Sequence, residues 1–281
     1  MNKYIRITSS QNNVVKQIKK INSKKVYNED KQNERLFCVE GIRFVEEAAK
    51  DDIELSIIVY CESFIEKALN NKYLSSLQDE FQKRCKGNIY IAPDNLFNQI
   101  SETQTPQGVL AVASKRFEHV SMIESNCTRI ILLEALKDPG NMGTIIRTAD
   151  AASFSAVVVC GGCVDVFNPK VLRSTMGSIF HVPVFYAEDF SEASRFLRNR
   201  DIKIISTHLK AQNMLYDIDL SDNIAIAIGN EANGLSDEAV ENSDIPVKIP
   251  MPGKAESLNA SVAASIMMYE SVRQNYLKHI K

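Results

Sequence analysis

No apolar run among the 281 residues approaches the roughly 20 needed to span a bilayer. The opening MNKYIRITSS has no apolar stretch like that of a secretory leader. A soluble, cytoplasmic protein with no membrane partner is expected. Histidine is scarce, and the four at 119, 181, 208 and 279 share no H-x-x-x-H spacing. The six cysteines, at 38, 61, 85, 127, 160 and 163, lack the density of a secreted disulfide scaffold. Cys160 and Cys163 form a C-x-x-C at the end of the apolar run AVVVC, but no second Cys or His pair stands at zinc-finger spacing. They read as buried or incidental thiols, and no metal is expected. Phosphate and nucleophile signatures are missing as well. There is no G-x-x-x-x-G-K-[ST], no G-x-G-x-x-G after a strand and no G-x-S-x-G. This excludes a P-loop, a nicotinamide Rossmann turn and a hydrolase elbow.

What is present is ordinary globular material, 44% hydrophobic and 24% charged, long enough for one large or two modest domains. The net charge of −2 hides an asymmetry: residues 1–36 hold nine Lys/Arg against three Asp/Glu, a surplus of +6 that leaves −8 for the remainder. A basic arm on an acidic body suits a protein that touches a polyanion locally. A solvated basic helix accounts for the charge equally well.

Hydrophobic periodicity places a helix from about Ser10, with Val14, Val15, Ile18 and Ile21 on one stripe and lysines opposite. Strand-like segments at 36–40, 55–60, 88–92 and 109–114 alternate with helical ones at 42–50 and 64–70, an α/β pattern. Residues 117–128 have no sustained period and read as a linker. Ile- and Val-rich runs at 129–135, 156–161, 203–207, 224–230 and 247–251 follow, with a helix at 141–152. Such continuous apolar runs suit a parallel sheet covered on both faces. A last helix, about 257–277, is apolar around much of its circumference and needs burial on more than one side. The expected domains are 1–116, with a basic helical arm at 1–35, and 129–281.

Three loops that follow strands concentrate polar and glycine residues. In KDPGNMGTIIRTADA (137–151), Pro139 and Gly140 turn the chain, Asn141 can cap the helix, and Gly143 allows close backbone approach. Ile145, Ile146, Ala149 and Ala152 would face the sheet, putting Arg147 on another face. In IGNEANGLS (228–236), Gly229 ends a strand and Asn230-Glu231 follow, a carboxylate where open α/β sheets bind ligands. A strand–turn–helix with Ser236 as N-cap explains Gly234 and Ser236 but not the tandem Asn-Glu. In IPMPGKAESLNASVAAS (249–265), a stiff loop precedes Ser257 or Asn259 at the opening of the last helix, where free N–H groups can hold polar ligand atoms. One of the two is surplus to capping.

The pattern Asn141-x-Gly143-x-x-x-Arg147, then Gly229-Asn230-Glu231-x-x-Gly234-Leu235, then Ile249-Pro250-Met251 with Ser257-Leu258-Asn259-x-Ser261-Val262-Ala263, resembles the three ordered motifs of the SpoU-type RNA 2′-O-ribose methyltransferases. NPKVLRSTMGSIFHVPV (168–184) is similar to the family's connecting stretch. FCVEGIRFVEEA (37–48) and QGVLAVA (107–113) resemble, more loosely, its N-terminal substrate-binding domain. The resemblance implies an α/β fold whose C-terminal parallel-sheet domain holds a deep trefoil knot, against the general rule that chains are unknotted, beside a smaller RNA-binding α/β domain. It implies S-adenosyl-L-methionine as cofactor, a homodimer through the knotted domain, and structured RNA as substrate, rRNA ahead of tRNA. Carried over residue by residue, Gly229, Ile249 and Leu258 line the cofactor site, and Asn141, Arg147, Glu231, Ser257 and Asn259 are the polar residues of the active site. Arg147 is read as a phosphate clamp and field source, because a guanidinium stays protonated in ordinary surroundings. RNA recognition is expected from the first domain and its arm, with Arg35 and Arg43 as further contacts. The rival readings are a non-catalytic RNA-binding dimer, a tRNA 2′-O-methyltransferase, and a knotted methyltransferase acting on a base nitrogen.

Overall fold

The computed structural model describes residues 4–23, 26–27, 34–50 and 53–280. Lys24, Lys25 and Lys31 of the basic arm lie outside the described residues. The chain divides into two compact units, Met1–Phe117 with Phe167–Leu172, and Glu118–Val166 with Arg173–Lys281.

The first unit runs β1 (Ile5–Arg6), α1 (Asn13–Ser23), β2 (Val26–Tyr27), β3 (Glu34–Glu40), α2 (Ile42–Lys50), β4 (Glu54–Cys61), α3 (Glu62–Leu69), α4 (Lys72–Arg84), β5 (Cys85–Ala92), α5 (Asp94–Phe97) and β6 (Val109–Arg116). Its strands form one mixed sheet in the order β1-β5-β4-β6-β3-β2, parallel across β1, β5 and β4 and antiparallel beyond. In α1 the expected stripe buries Val15, Ile18 and Ile21, while Val14 stays half-buried. The polar sequence of α4 gives little periodic signal. Its start is fixed by Asn71, whose side chain accepts from the N–H groups of Tyr73 and Leu74, and its inner face by Leu77 and Phe81.

The chain continues with β7 (Glu118–His119), a 3-10 turn at Val120–Met122, β8 (Arg129–Leu133), α6 (Pro139–Ala151), β9 (Ala156–Val159), α7 (Pro169–Thr175, whose first residues belong to the first unit), α8 (Ser178–His181), β10 (Val184–Tyr186), α9 (Phe190–Arg198), β11 (Lys203–Thr207), β12 (Asn213–Met214), β13 (Ile224–Ile228), α10 (Asp237–Glu241), β14 (Ile245–Lys248) and α11 (Ala260–Ile280), otherwise in the second unit. The eight strands of that unit are parallel throughout, ordered β12-β14-β11-β13-β8-β9-β10-β7. The segment read as a linker therefore supplies an edge strand, β7, and buries Val120 and Ile123. Ile130, Leu132, Ala156, Val158, Ile204, Ala225 and Ala227 share one core with Ala193 and Leu197 of α9 and Ala239 of α10. With a side-chain period of two, Ile131, Leu133, Val157, Ile224, Ile226 and Ile228 face the other side, where α6 and α11 pack. Covering both faces is why these strands read as unbroken apolar runs.

Strand order creates a switch point. β8 leads through α6 to its neighbour β9 on one side, while β13, paired with β8, leads through α10 to β14 on the other. The crossovers leaving β8 and β13 run in opposite directions along the sheet, the arrangement at whose strand C-termini open α/β sheets place ligands. The chain reaches β13 through residues 218–221, held from above by α11. The Gln274 side chain accepts from Leu220 N–H at 2.7 Å and donates to Ile218 C=O at 2.9 Å. Ser271 Oγ donates to Leu220 C=O at 2.6 Å. Replacing Gln274 with Met keeps the size but strands two backbone groups. We expect a loss of about 2 kcal/mol, two hydrogen bonds at ~1 kcal/mol each, read as a lower urea midpoint with unchanged slope. An unaltered midpoint would show that buried Leu215 and Leu220 alone seat this segment.

Candidate active site

Three loops meet at the C-terminal strand ends: residues 134–138 after β8, 229–236 after β13 and 249–259 after β14. The second starts at Gly229, where a Cβ would lie 2.2 Å from the backbone of Gly234 and Leu235. No other residue fits there, because the loop closes on itself. Asn230 and Gly234 exchange backbone hydrogen bonds of 2.8 and 2.9 Å, and Gly234 adopts φ +72°.

Side chains then tie the loops together. Glu134 accepts from Ser236 N–H at 2.8 Å and from Ser236 Oγ at 2.7 Å. Asn230 Nδ2 donates to Ala135 C=O at 2.9 Å, fixing a non-glycine residue at φ +51°. That conformation costs on the order of 1 kcal/mol. Cys163 Sγ accepts from Leu136 N–H at 3.3 Å. The Glu231 carboxylate accepts from Asp138 N–H at 2.9 Å, Lys137 N–H at 3.2 Å and Asn141 Nδ2 at 3.1 Å. Asn141 Oδ1 accepts in turn from Asn259 Nδ2 at 2.9 Å. Asn259 Oδ1 accepts from Ser261 N–H, Ser261 Oγ and Val262 N–H, which makes Asn259 the N-cap of α11. Partial burial raises the Glu231 pKa. The hydrogen bonds from Asn141 and from the backbone of Asp138, Glu231 and Lys137 more than reverse that, so its carboxyl sits below the ordinary glutamate range.

The structure thus joins Asn141, Glu231 and Asn259 directly, from three distant stretches of chain. Gly229 lies at the buried end of β13, Ile249 half-buried just after β14, and Leu258 half-buried before the cap. Arg147 and Ser257 stand apart from the network. Both are exposed and have no hydrogen-bond or ion-pair partner among the described residues. The backbone of residues 250–258 makes no hydrogen bond to any described residue.

Some local expectations are corrected. Asp138, not Asn141, caps α6, accepting from Asn141 N–H at 2.8 Å, and Pro139 opens the helix at its first position instead of turning the chain. Asn141 is 7% exposed and its side chain serves the network. Arg35 is 5% exposed, and so offers little surface to RNA, while Arg43 on α2 is exposed. Cys160 is buried and its thiol is pushed up, chiefly by burial, whereas Cys163 is partly exposed and steadies the first loop. Glu134, Asp138 and Cys163 escape sequence reasoning. Only Asp138 leaves a local mark, an Asp immediately before a Pro at a helix start.

Two family models match the chain: the SpoU rRNA Methylase family over residues 128–269 and the MRM3-like substrate binding domain over residues 12–111. The chain is 35% identical to the 23S rRNA (guanosine(2553)-2′-O)-methyltransferase RlmP of Bacillus subtilis, over 94% of this chain and 97% of that one. The AdoMet-bound rRNA methyltransferase from Sinorhizobium meliloti superposes with a TM-score of 0.81 at 28% identity, covering 97% of this chain and 98% of that one. The SpoU methyltransferase AviRb from Streptomyces viridochromogenes, in complex with AdoMet, gives 0.80 at 27%, covering 95% and 99%.

The Glu231 anchor has a pH signature. Its folded pKa is depressed, so its contribution is complete above the ordinary glutamate value of about 4.3 and is lost as pH falls through the lower folded value. Hydrogen exchange should show protection of the Lys137 and Asp138 amides falling in Glu231→Gln at neutral pH, and in wild type only in acid, with β8 unaffected. Full protection in Glu231→Gln would mean that Asn230 and Cys163 hold the loop unaided.

Proposed function

The chain belongs to the SpoU rRNA Methylase family, and on that premise we propose that it transfers a methyl group from S-adenosylmethionine to a ribose 2′-hydroxyl of 23S rRNA in the cytoplasm. The observation that carries this reading is the bonding of Asn141, Glu231 and Asn259 across three loops, with exposed Arg147 left unpartnered on α6. The MRM3-like match over residues 12–111 supports assigning RNA recognition to the first unit.

The residues fit the cofactor. Half-buried Ile249, Met251 and Leu258 offer apolar surface beside a loop whose backbone donors and acceptors are unused. When bound, S-adenosylmethionine supplies a methyl group already activated on a sulfonium. The protein has to align the ribose oxygen and assist loss of its proton. In this reading Asn141, Glu231 and Asn259 hold the loops in register. Ser257, with its free hydroxyl, binds the ribose or its phosphate. Arg147 clamps a phosphate, and its fixed charge stabilises the developing alkoxide.

A deep trefoil knot belongs to the same reading. It is supported by β13 lying between β8 and β11, so that the chain returns to mid-sheet under α11. A homodimer is supported by the outer face of α11, where Val262, Tyr269 and Tyr276 are 45%, 51% and 69% exposed. Light scattering at micromolar concentration should return about twice the 31.5 kDa chain mass. A monomer would remove the dimer from this reading.

Mapping 2′-O-methylation in 23S rRNA tests the activity. A strain lacking the protein should lose one modified ribose, restored by wild type, restored poorly by Arg147→Lys, which loses the bidentate fork, and not restored by Arg147→Ala. An identical methylation map with and without the protein would refute the assignment.

A further inference from the structure

The site loops and the loop after β11 all leave the C-terminal ends of parallel strands, so they line one edge of the second sheet. Three of them carry a lysine: Lys137 after β8, Lys210 after β11 and Lys254 after β14. Each is exposed, and none of the three ammonium groups has a hydrogen-bond or ion-pair partner among the described residues. The acids on the same loops are mostly committed. Glu134 binds Ser236, Asp138 caps α6, and Glu231 holds the first loop, which leaves Glu256 as the single free carboxylate. The N-termini of α6 and α11 open at this edge and add partial positive charge.

The opposite edge has the reverse character. Glu124, Asp201, Asp217, Asp219, Asp222 and Asp244 precede the strands there. Arginines at that edge are tied down: Arg198 to Asp244, Arg129 to Ser153 C=O and Arg200 to Ile123 C=O. Residues 37–281 sum to −8, so free lysines gathered on one edge stand out against an acidic body. Adjacent strands lie about 4.8 Å apart, so the ends of β14, β11, β13 and β8 span on the order of 15 Å. That is the length of about four stacked nucleotides at a rise of about 3.4 Å.

We propose that Lys137, Lys210 and Lys254 form a phosphate-binding rim that grips the RNA backbone on either side of the target nucleotide. The proposal rests on the methyltransferase reading and adds an RNA-contact surface on the catalytic unit, separate from the basic arm. Lysine suits the task as a mobile point charge that neutralises phosphate without reading sequence. Each neutralised phosphate releases counterions, so the rim is visible in the salt dependence of binding.

The test measures binding of an unmodified 23S rRNA transcript by the full-length protein between about 50 and 200 mM salt. Lys137→Ala, Lys210→Ala and Lys254→Ala are compared singly and combined, with Lys203→Ala at the opposite edge as control. Lys137→Ala keeps the backbone N–H that serves Glu231. Each rim variant should lower the slope of log K against log salt by about 0.7. The triple variant should bind RNA at least tenfold more weakly near physiological salt, with S-adenosylmethionine affinity and melting temperature as in wild type, and Lys203→Ala should match wild type. An unchanged slope in the triple variant, or an equal drop in Lys203→Ala, would overturn the rim. Normal methylation by wild type together with a wild-type KM for RNA in the triple variant would sink the rim alone. A rim-dependent slope in a protein that methylates no RNA would support the rim and sink the activity.

Discussion

The Glu231 carboxylate fixes the direction of the amide contacts that run from it through Asn141 to Asn259. An ionised carboxylate only accepts hydrogen bonds. Asn141 must therefore turn its Nδ2 toward Glu231, which leaves Oδ1 as its other end. That oxygen requires a donor, so Asn259 presents Nδ2 and keeps Oδ1 for the first turn of α11. One acceptor at the end of β13 thus sets both amide orientations and the start of a helix whose cap lies 28 positions later in sequence. The same carboxylate accepts from two backbone donors of the first loop, which ties that loop to the end of β13.

This arrangement separates residues that hold from residues that remain available. Every polar side chain from Glu134 to Asn259 that cross-links the loops has its bonding capacity largely used within the protein. The positive φ of Ala135 is held by Asn230 as part of that rigidity. Arg147 and Ser257 belong to the same sequence motifs but take no part in the cross-links. A site of this kind presents few free groups on a stiff frame, which suits alignment of a nucleophile with an already activated methyl group more than it suits elaborate proton transfer.

Much of this was legible in the sequence. The 42–50 helix and 203–207 strand coincide with α2 and β11, and the three polar loops fall where expected, because continuous Ile/Val runs between glycines and prolines are local signals. The misses have non-local causes. Asn141 looks like a cap because Asn favours that position, but its partners are Glu231 and Asn259, 90 and 118 positions away. Arg35 is the exception with a local signal: its charge suggests the surface, yet it sits in β3 between β6 and β2, and strand alternation with Phe37 and Val39 puts it on their buried face. The edge strand β7 is two residues long, too short to show a period, and exists because β10 offers it a partner.

Strand order also explains why the motifs understate the site. In sequence they follow β8, β13 and β14, but in space the order across the sheet is β14, β11, β13, β8. β11 lies between two motif-bearing strands, and its register with β13 aligns Ser206 with Ala227 while its register with β14 aligns Thr207 with Val247. Its C-terminal end therefore opens between the second and third loops. Any ligand that bridges those loops must pass the segment after Thr207, including His208 and Lys210. Ordinary residues there raise no flag in a sequence, because what makes them part of the site is the insertion of β13 beside β8, a property of the chain's path and not of their own composition.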